Sequence, residues 1–129
     1  LAGKIAKKSV VGTVFALVGN LGTGKTAFSQ GFAKAMGIKE AVGSPTFKLI
    51  SEYQGADLWL YHIDCYRLKN SLQFINIGGE EYLAPINGIV LIEWADVIKD
   101  ILPISTIWIE FKRIIDNSNH REIKVSRLS

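Results

Sequence analysis

The segment GNLGTGKT, Gly19 to Thr26, follows directly on the apolar run Val14-Phe15-Ala16-Leu17-Val18. It matches G-x-x-x-x-G-K-T, a Walker A phosphate-binding loop, and it constrains the fold more than any other stretch of the chain. Glycines at 19, 22 and 24 open backbone conformations closed to other residues. Successive amide N–H groups can then converge on one concavity and bind phosphate oxygens. Lys25 adds a positive charge for the outer phosphates, and Thr26 offers a hydroxyl to Mg²⁺. The helix that follows turns its positive dipole end to the same anion. Such a loop needs a strand before it and a helix after it. Val14 to Val18 is apolar throughout, as in a strand buried on both faces. Thr26 to Met36 carries Phe28, Phe32, Ala35 and Met36 at helical spacing, and Gly37 supplies a stop.

A length of 129 residues suits one domain over residues 1–129, and 48% hydrophobic residues suffice for a layered core. Leu1 to Lys8 reads as the tail of a helix, so a short native N-terminal segment is expected to precede it. Thr46 to Tyr53 and Leu58 to Asp64 read as strands joined by a turn at 54–57, hence a hairpin. Leu68 to Leu83 reads as one or two short helices, and Ile89 to Glu93 as a second strongly apolar strand. Ala95 to Leu102 looks helical, with Pro103 ending it. Ile107 to Phe111 and Arg121 to Ser126 alternate on either side of the turn-forming Asp116-Asn117-Ser118-Asn119, a second hairpin. The Walker strand and Ile89 to Glu93 are the best neighbours for a parallel sheet. The expected fold is α/β: a P-loop NTPase-like mixed sheet with flanking helices, extended by antiparallel hairpins. Its ligand belongs beyond the carboxyl ends of the strands.

The net charge of +3 neither demands nor excludes RNA. Lys112, Arg113, Arg121, Lys124 and Arg127 cluster near the C-terminus, where they either approach RNA or simply solvate a hairpin. One cysteine, Cys65, excludes an internal disulfide and fits a reducing cytoplasm. No apolar run reaches membrane-span length, and no signal-peptide pattern is present.

Three further stretches carry chemistry. Ile89 to Glu93 ends an apolar strand on a carboxylate, a Walker B-like pattern that can reach a Mg²⁺ shell or a water. His62-Ile63-Asp64-Cys65-Tyr66-Arg67 concentrates polar side chains, and on an extended chain His62 and Asp64 share a face. Asp64 can hold metal or orient water there; equally, His62 and Asp64 can form a pair that closes the hairpin. Ser44-Pro45-Thr46 follows the first helix, where nucleotide-sensing loops lie, but Pro45 also fits a plain turn. Trp59, Trp94 and Trp108 read as packing residues, with Trp94 set apart because it adjoins Glu93.

GNLGTGKT, SPTF, YHIDCYRL and LIEW, in that order, resemble the TsaE family, small P-loop ATPases of bacterial tRNA threonylcarbamoyladenosine synthesis. The resemblance spans nearly the whole chain. It implies ATP and Mg²⁺ as ligands, and weak ATP hydrolysis that is stimulated by the partner proteins TsaB and TsaD. TsaD transfers threonylcarbamoyl to the adenosine beside the anticodon of tRNAs reading A-starting codons. The TsaE subunit is an accessory that resets the complex, so its contact with tRNA is expected to be indirect. Carried over by motif, the loop residues Asn20, Leu21, Gly22, Thr23, Gly24, Lys25, Thr26 and Ala27 would bind nucleotide. Thr26 and Glu93 would ligate Mg²⁺, and Asp64 and Glu93 would form the catalytic group. Thr46 would sit in a switch-like loop, with His62, Tyr66 and Arg67 in support. Two departures stand out: Ala95 replaces the family's usual Pro, and residues 70–82 are less acidic than is usual. The alternative reading, a small-molecule kinase, shares the loop but needs an acceptor pocket and an arginine-bearing lid, for which the chain has little length. No N-K-x-D or T-K-x-D segment is present to read guanine, which favours ATP.

Overall fold

The computed structural model describes residues 2–19, 24–40, 42, 49–113 and 121–127. Three α-helices are present among them: α1 (Ala2–Lys8), α2 (Lys25–Ala35) and α3 (Ser71–Asn76). The strands are β1 (Val14–Val18), β2 (Ile50–Gln54), β3 (Trp59–Asp64), β4 (Gly88–Glu93), β5 (Ile107–Arg113) and β6 (Arg121–Arg127). They form one sheet in the order β2-β3-β4-β1-β5-β6. The central four, β3, β4, β1 and β5, run parallel, and β2 and β6 close the edges antiparallel. Both expected hairpins are present, β2–β3 and β5–β6. Each also contributes one strand to the parallel centre, a longer parallel run than the β1–β4 pair read from the sequence.

Strand alternation explains the layers. Phe15, Leu17, Leu60, Ile89, Leu91, Ile109 and Phe111 point to one face, where Phe28, Phe32 and Ala33 of α2 and Ala6 of α1 cover them. Val14, Ala16, Ile63, Val90 and Ile92 point to the other, under Phe74 of α3 and Ala95 and Ile98. Every residue of β4 is buried, as a central parallel strand requires. On the first face, the rings of Phe15 and Phe32 meet edge-on at 5.3 Å, and those of Phe28 and Phe111 at 5.6 Å.

The stretch after β4 is helical, as expected, but tightens to a 3-10 helix over Ala95–Ile101 with non-helical geometry at Ile98. Leu102 is extended, the conformation imposed by Pro103 after it. Leu68 to Leu83 holds α3 and a 3-10 turn, Gly79–Leu83. Asn70 caps α3, its side chain accepting from the N–H of Gln73.

At the start of β4 the backbones leave no room for a side chain. A Cβ on Gly88 would lie 2.4 Å from the Trp59 carbonyl oxygen and 2.8 Å from the Tyr61 ring. Gly88→Ala is therefore expected to spread β3 from β4 and cost about 1–3 kcal/mol, measured by denaturant unfolding. Wild-type stability in that variant would show that the strand pair yields without cost.

Candidate functional site

The carboxyl ends of β1, β4 and β3 lie side by side, with Leu17 beside Glu93 and Glu93 beside Asp64 in register. Parallel pairing puts all three ends at one pole. β1 leads from here to the glycine-rich segment 19–26. Gly19 and Gly24 within it have φ of 143° and 101°, values that favour glycine. Gly24 is the N-cap of α2 and makes no side-chain cap hydrogen bond, and the first helical turn holds no acidic residue. The amides that open α2 therefore receive no side-chain cap from the N-cap residue and can donate to an external anion. Asn20, Leu21, Gly22, Thr23 and Thr46 lie outside the described residues.

Lys25 is 5% exposed, unusual for a lysine. Its ammonium donates to the Gly19 carbonyl and lies 3.7 Å from the centroid of the Trp94 ring. Burial draws its pKa below the ordinary lysine value, while Glu93, Asp64 and Asp96 act in the opposite sense. A phosphate group would supply the counter-charge that burial makes valuable. Thr26, half-buried, and Ala27, exposed, occupy the same first turn.

Glu93 is 3% exposed and His62 is fully buried. His62 Nε2 lies 2.5 Å from Glu93 Oε2. His62 faces the same side of the sheet as Leu60 and Asp64, but it turns to β4 and pairs with Glu93. The hairpin-closing pair with Asp64, left open by the spacing, is thus replaced by a bond to a residue 31 positions away. Asp64, nearly buried, accepts the Tyr66 N–H on Oδ1 at 2.9 Å, which fixes the turn leaving β3. Cys65 is fully buried and its thiol is pushed up to about 12, by burial first and then by Asp64 and Asp96. It packs rather than reacts. Arg67 is exposed.

Trp94 packs against the core of the second face, as expected, but does more than pack. It is the only non-glycine with positive φ among the described residues (57°), and Tyr66 packs its ring at 5.0 Å while Lys25 caps it. A left-handed tryptophan costs about 1–2 kcal/mol, so the position carries strain of the kind stored at binding sites. Its place next to Glu93 was the only sequence signal for this. Trp94→Gly relieves the backbone while deleting the ring. The backbone relief of about 1–2 kcal/mol offsets only part of the packing lost with the ring, so the variant is expected to be less stable than wild type and, while still folded, to bind ATP several-fold more weakly by calorimetry. Unchanged affinity would detach Trp94 from the site.

No group of three or more His, Cys, Asp and Glu side chains able to hold a metal occurs among the described residues. One or two carboxylates and a hydroxyl suit a magnesium ion that takes its remaining ligands from phosphate and water. The fold and this pole define a nucleotide-binding α/β protein of the P-loop type.

The particular family follows from comparison. The model of "Threonylcarbamoyl adenosine biosynthesis protein TsaE" matches residues 1–123. The tRNA threonylcarbamoyladenosine biosynthesis protein TsaE of Bacillus subtilis (strain 168) is 43% identical over 112 residues, covering 87% of this chain and 68% of that protein. Its counterpart in Treponema pallidum (strain Nichols) is 40% identical over 115 residues, covering 89% and 82%. The crystal structure of Bacillus subtilis YdiB superposes with a TM-score of 0.78 at 36% identity, over 99% of this chain and 76% of that one. The chain belongs to the TsaE family.

Proposed function

We propose that this chain binds and hydrolyses ATP with Mg²⁺ as an accessory subunit in tRNA threonylcarbamoyladenosine biosynthesis, the process for which its relatives are named. The observation that carries the reading is the convergence at one pole of the buried Lys25, at the uncapped start of α2, with Glu93 and Asp64 in register on β4 and β3. In this reading Lys25 and the amides of residues 20–27 hold the phosphates. Thr26 and Glu93 hold the metal, which when bound neutralises charge on the outer phosphates. Asp64 and Glu93 orient the attacking water and receive its proton. Thr46 lies in a nucleotide-sensing loop, and Tyr66 and Arg67 support the site or a partner surface.

The partners in this reading are TsaB- and TsaD-type proteins, encountered in the cytoplasm. No described helix is long and apolar enough to cross a membrane. tRNA contact is indirect. Of the C-terminal basic residues, Lys112 pairs with Glu110 at 3.3 Å, and Lys124 stands opposite Glu110 in register. That arrangement suits a solvated hairpin better than a continuous phosphate track.

The test is ATP hydrolysis by this chain alone and with purified TsaB and TsaD from the same source. Weak turnover alone and strong stimulation by the pair is the expected result. Equal, weak turnover in both would remove the accessory role, and transfer of phosphate to a small acceptor would establish the kinase reading instead.

A further inference from the structure

The buried bond between His62 and Glu93 has no role in phosphate binding, yet it joins the centre of β3 to the strand-end carboxylate on β4. His62 is fully buried, and its Nδ1 has no hydrogen-bond partner among the described residues. The proton therefore belongs on Nε2, which donates to Glu93 Oε2 at 2.5 Å. One carboxylate oxygen is thereby committed, and rotation of the Glu93 side chain would break a hydrogen bond inside the protein, where its loss costs most. In register, His62 has Ser51 of β2 on one side and Leu91 of β4 on the other. Beside the pair, Asp64 of β3 stands next to Glu93 in register, and the ammonium of Lys25 from α2 feels the charges of Glu93, Asp64 and Asp96. Lys25 attracts the Glu93 carboxylate while the neighbouring Asp64 repels it, so an unpinned carboxylate would have competing positions.

We propose that His62 is a positioning residue: by pinning Oε2, it presents the other oxygen of Glu93 in one orientation to metal and water at the phosphate site. This rests on the reading of Glu93 as a metal- and water-holding group. His62 does not touch the reacting atoms. Its contribution is to remove a rearrangement that Glu93 would otherwise undergo in each turnover.

Four variants test this. His62→Gln places an amide N–H near the position of Nε2, whereas His62→Asn is too short to reach Glu93. His62→Phe fills the space without a donor, and Glu93→Gln tests the underlying reading. Two quantities are measured. One is kcat and KM for ATP in the presence of TsaB and TsaD. The other is ADP affinity of the chain alone by calorimetry, in Mg²⁺ and in EDTA. The expected result for Asn and Phe is a fall of about 10- to 100-fold in kcat with little change in KM. Mg²⁺ should also lose most of its effect on ADP affinity in both, with affinity in EDTA unchanged. His62→Gln should recover most of both quantities. If Asn and Phe match wild type while Glu93→Gln loses turnover, the positioning role is wrong and the site reading stands. If Gln fails as badly as Asn, with affinity lost equally in EDTA, His62 is merely structural and the proposal is overturned. If Glu93→Gln itself keeps normal turnover and Mg²⁺ response, the site reading falls and takes this inference with it.

Discussion

Replacing Lys25 with alanine is expected to abolish measurable ATP binding and, with it, turnover. Lys25 places a single ammonium at the start of α2, and burial has already stripped most of its water. A phosphate oxygen meeting such a group gains a charge-assisted hydrogen bond without paying that desolvation again. Truncating one partner of a buried charge pair costs about 2–5 kcal/mol, so affinity should fall by at least ~30-fold. The fold should survive. Lys25 contributes an ammonium set on Gly19 and Trp94 rather than core packing, and a buried charge whose pKa is lowered by burial is a burden on the folded state. Part of that gain is offset because Glu93, Asp64 and Asp96 lose an attractive cation. Calorimetry with ATP and Mg²⁺, beside a denaturant melt of the same variant, separates the two effects. ATP bound at wild-type affinity by a folded Lys25→Ala protein would refute the phosphate-site assignment.

What could be read before folding, and what could not, divides by the range of the interaction involved. The strand–loop–helix unit from Val14 to Ala35 is local: an apolar run, glycines at set spacing and a helical repeat are all visible within about twenty residues. The two hairpins were legible for the same reason, since each strand pairs with its neighbour in sequence. Which hairpin strand enters the parallel centre was not legible, because alternation says which face a residue takes but not which strand lies beside it. The pairing of β3 with β4 sets Asp64 against Glu93 and lets His62 reach across. Without that register, His62 and Asp64 looked like partners because they share a face two residues apart. Trp94 was hidden differently. Its left-handed backbone is a property of the turn after β4, and a tryptophan there is a poor choice on propensity alone. Such local misfits mark places where another demand outweighs stability. Here the ring's contacts with Lys25 and Tyr66 supply that demand.

Glu93→Gln should separate binding from hydrolysis. The substitution keeps the shape of the side chain, and the amide oxygen can still accept from His62 Nε2, so the buried bond survives while the charge does not. Stability should change little, because the side chain keeps its shape and the His62 hydrogen bond keeps its acceptor. ATP affinity should stay within a few-fold of wild type, since Lys25 and the loop amides carry phosphate binding. Turnover with TsaB and TsaD should fall by about 10²–10⁴-fold, the range for loss of a positioned acid–base group. Glu93→Ala is a poorer test. It leaves the His62 N–H buried without an acceptor, at a cost of about 1–3 kcal/mol, so lost activity would mix with lost structure. The decisive measurement is therefore a single-turnover assay on Glu93→Gln with ATP prebound. A normal rate there would remove Glu93 from the chemistry and turn attention to Asp64, at the adjoining end of β3.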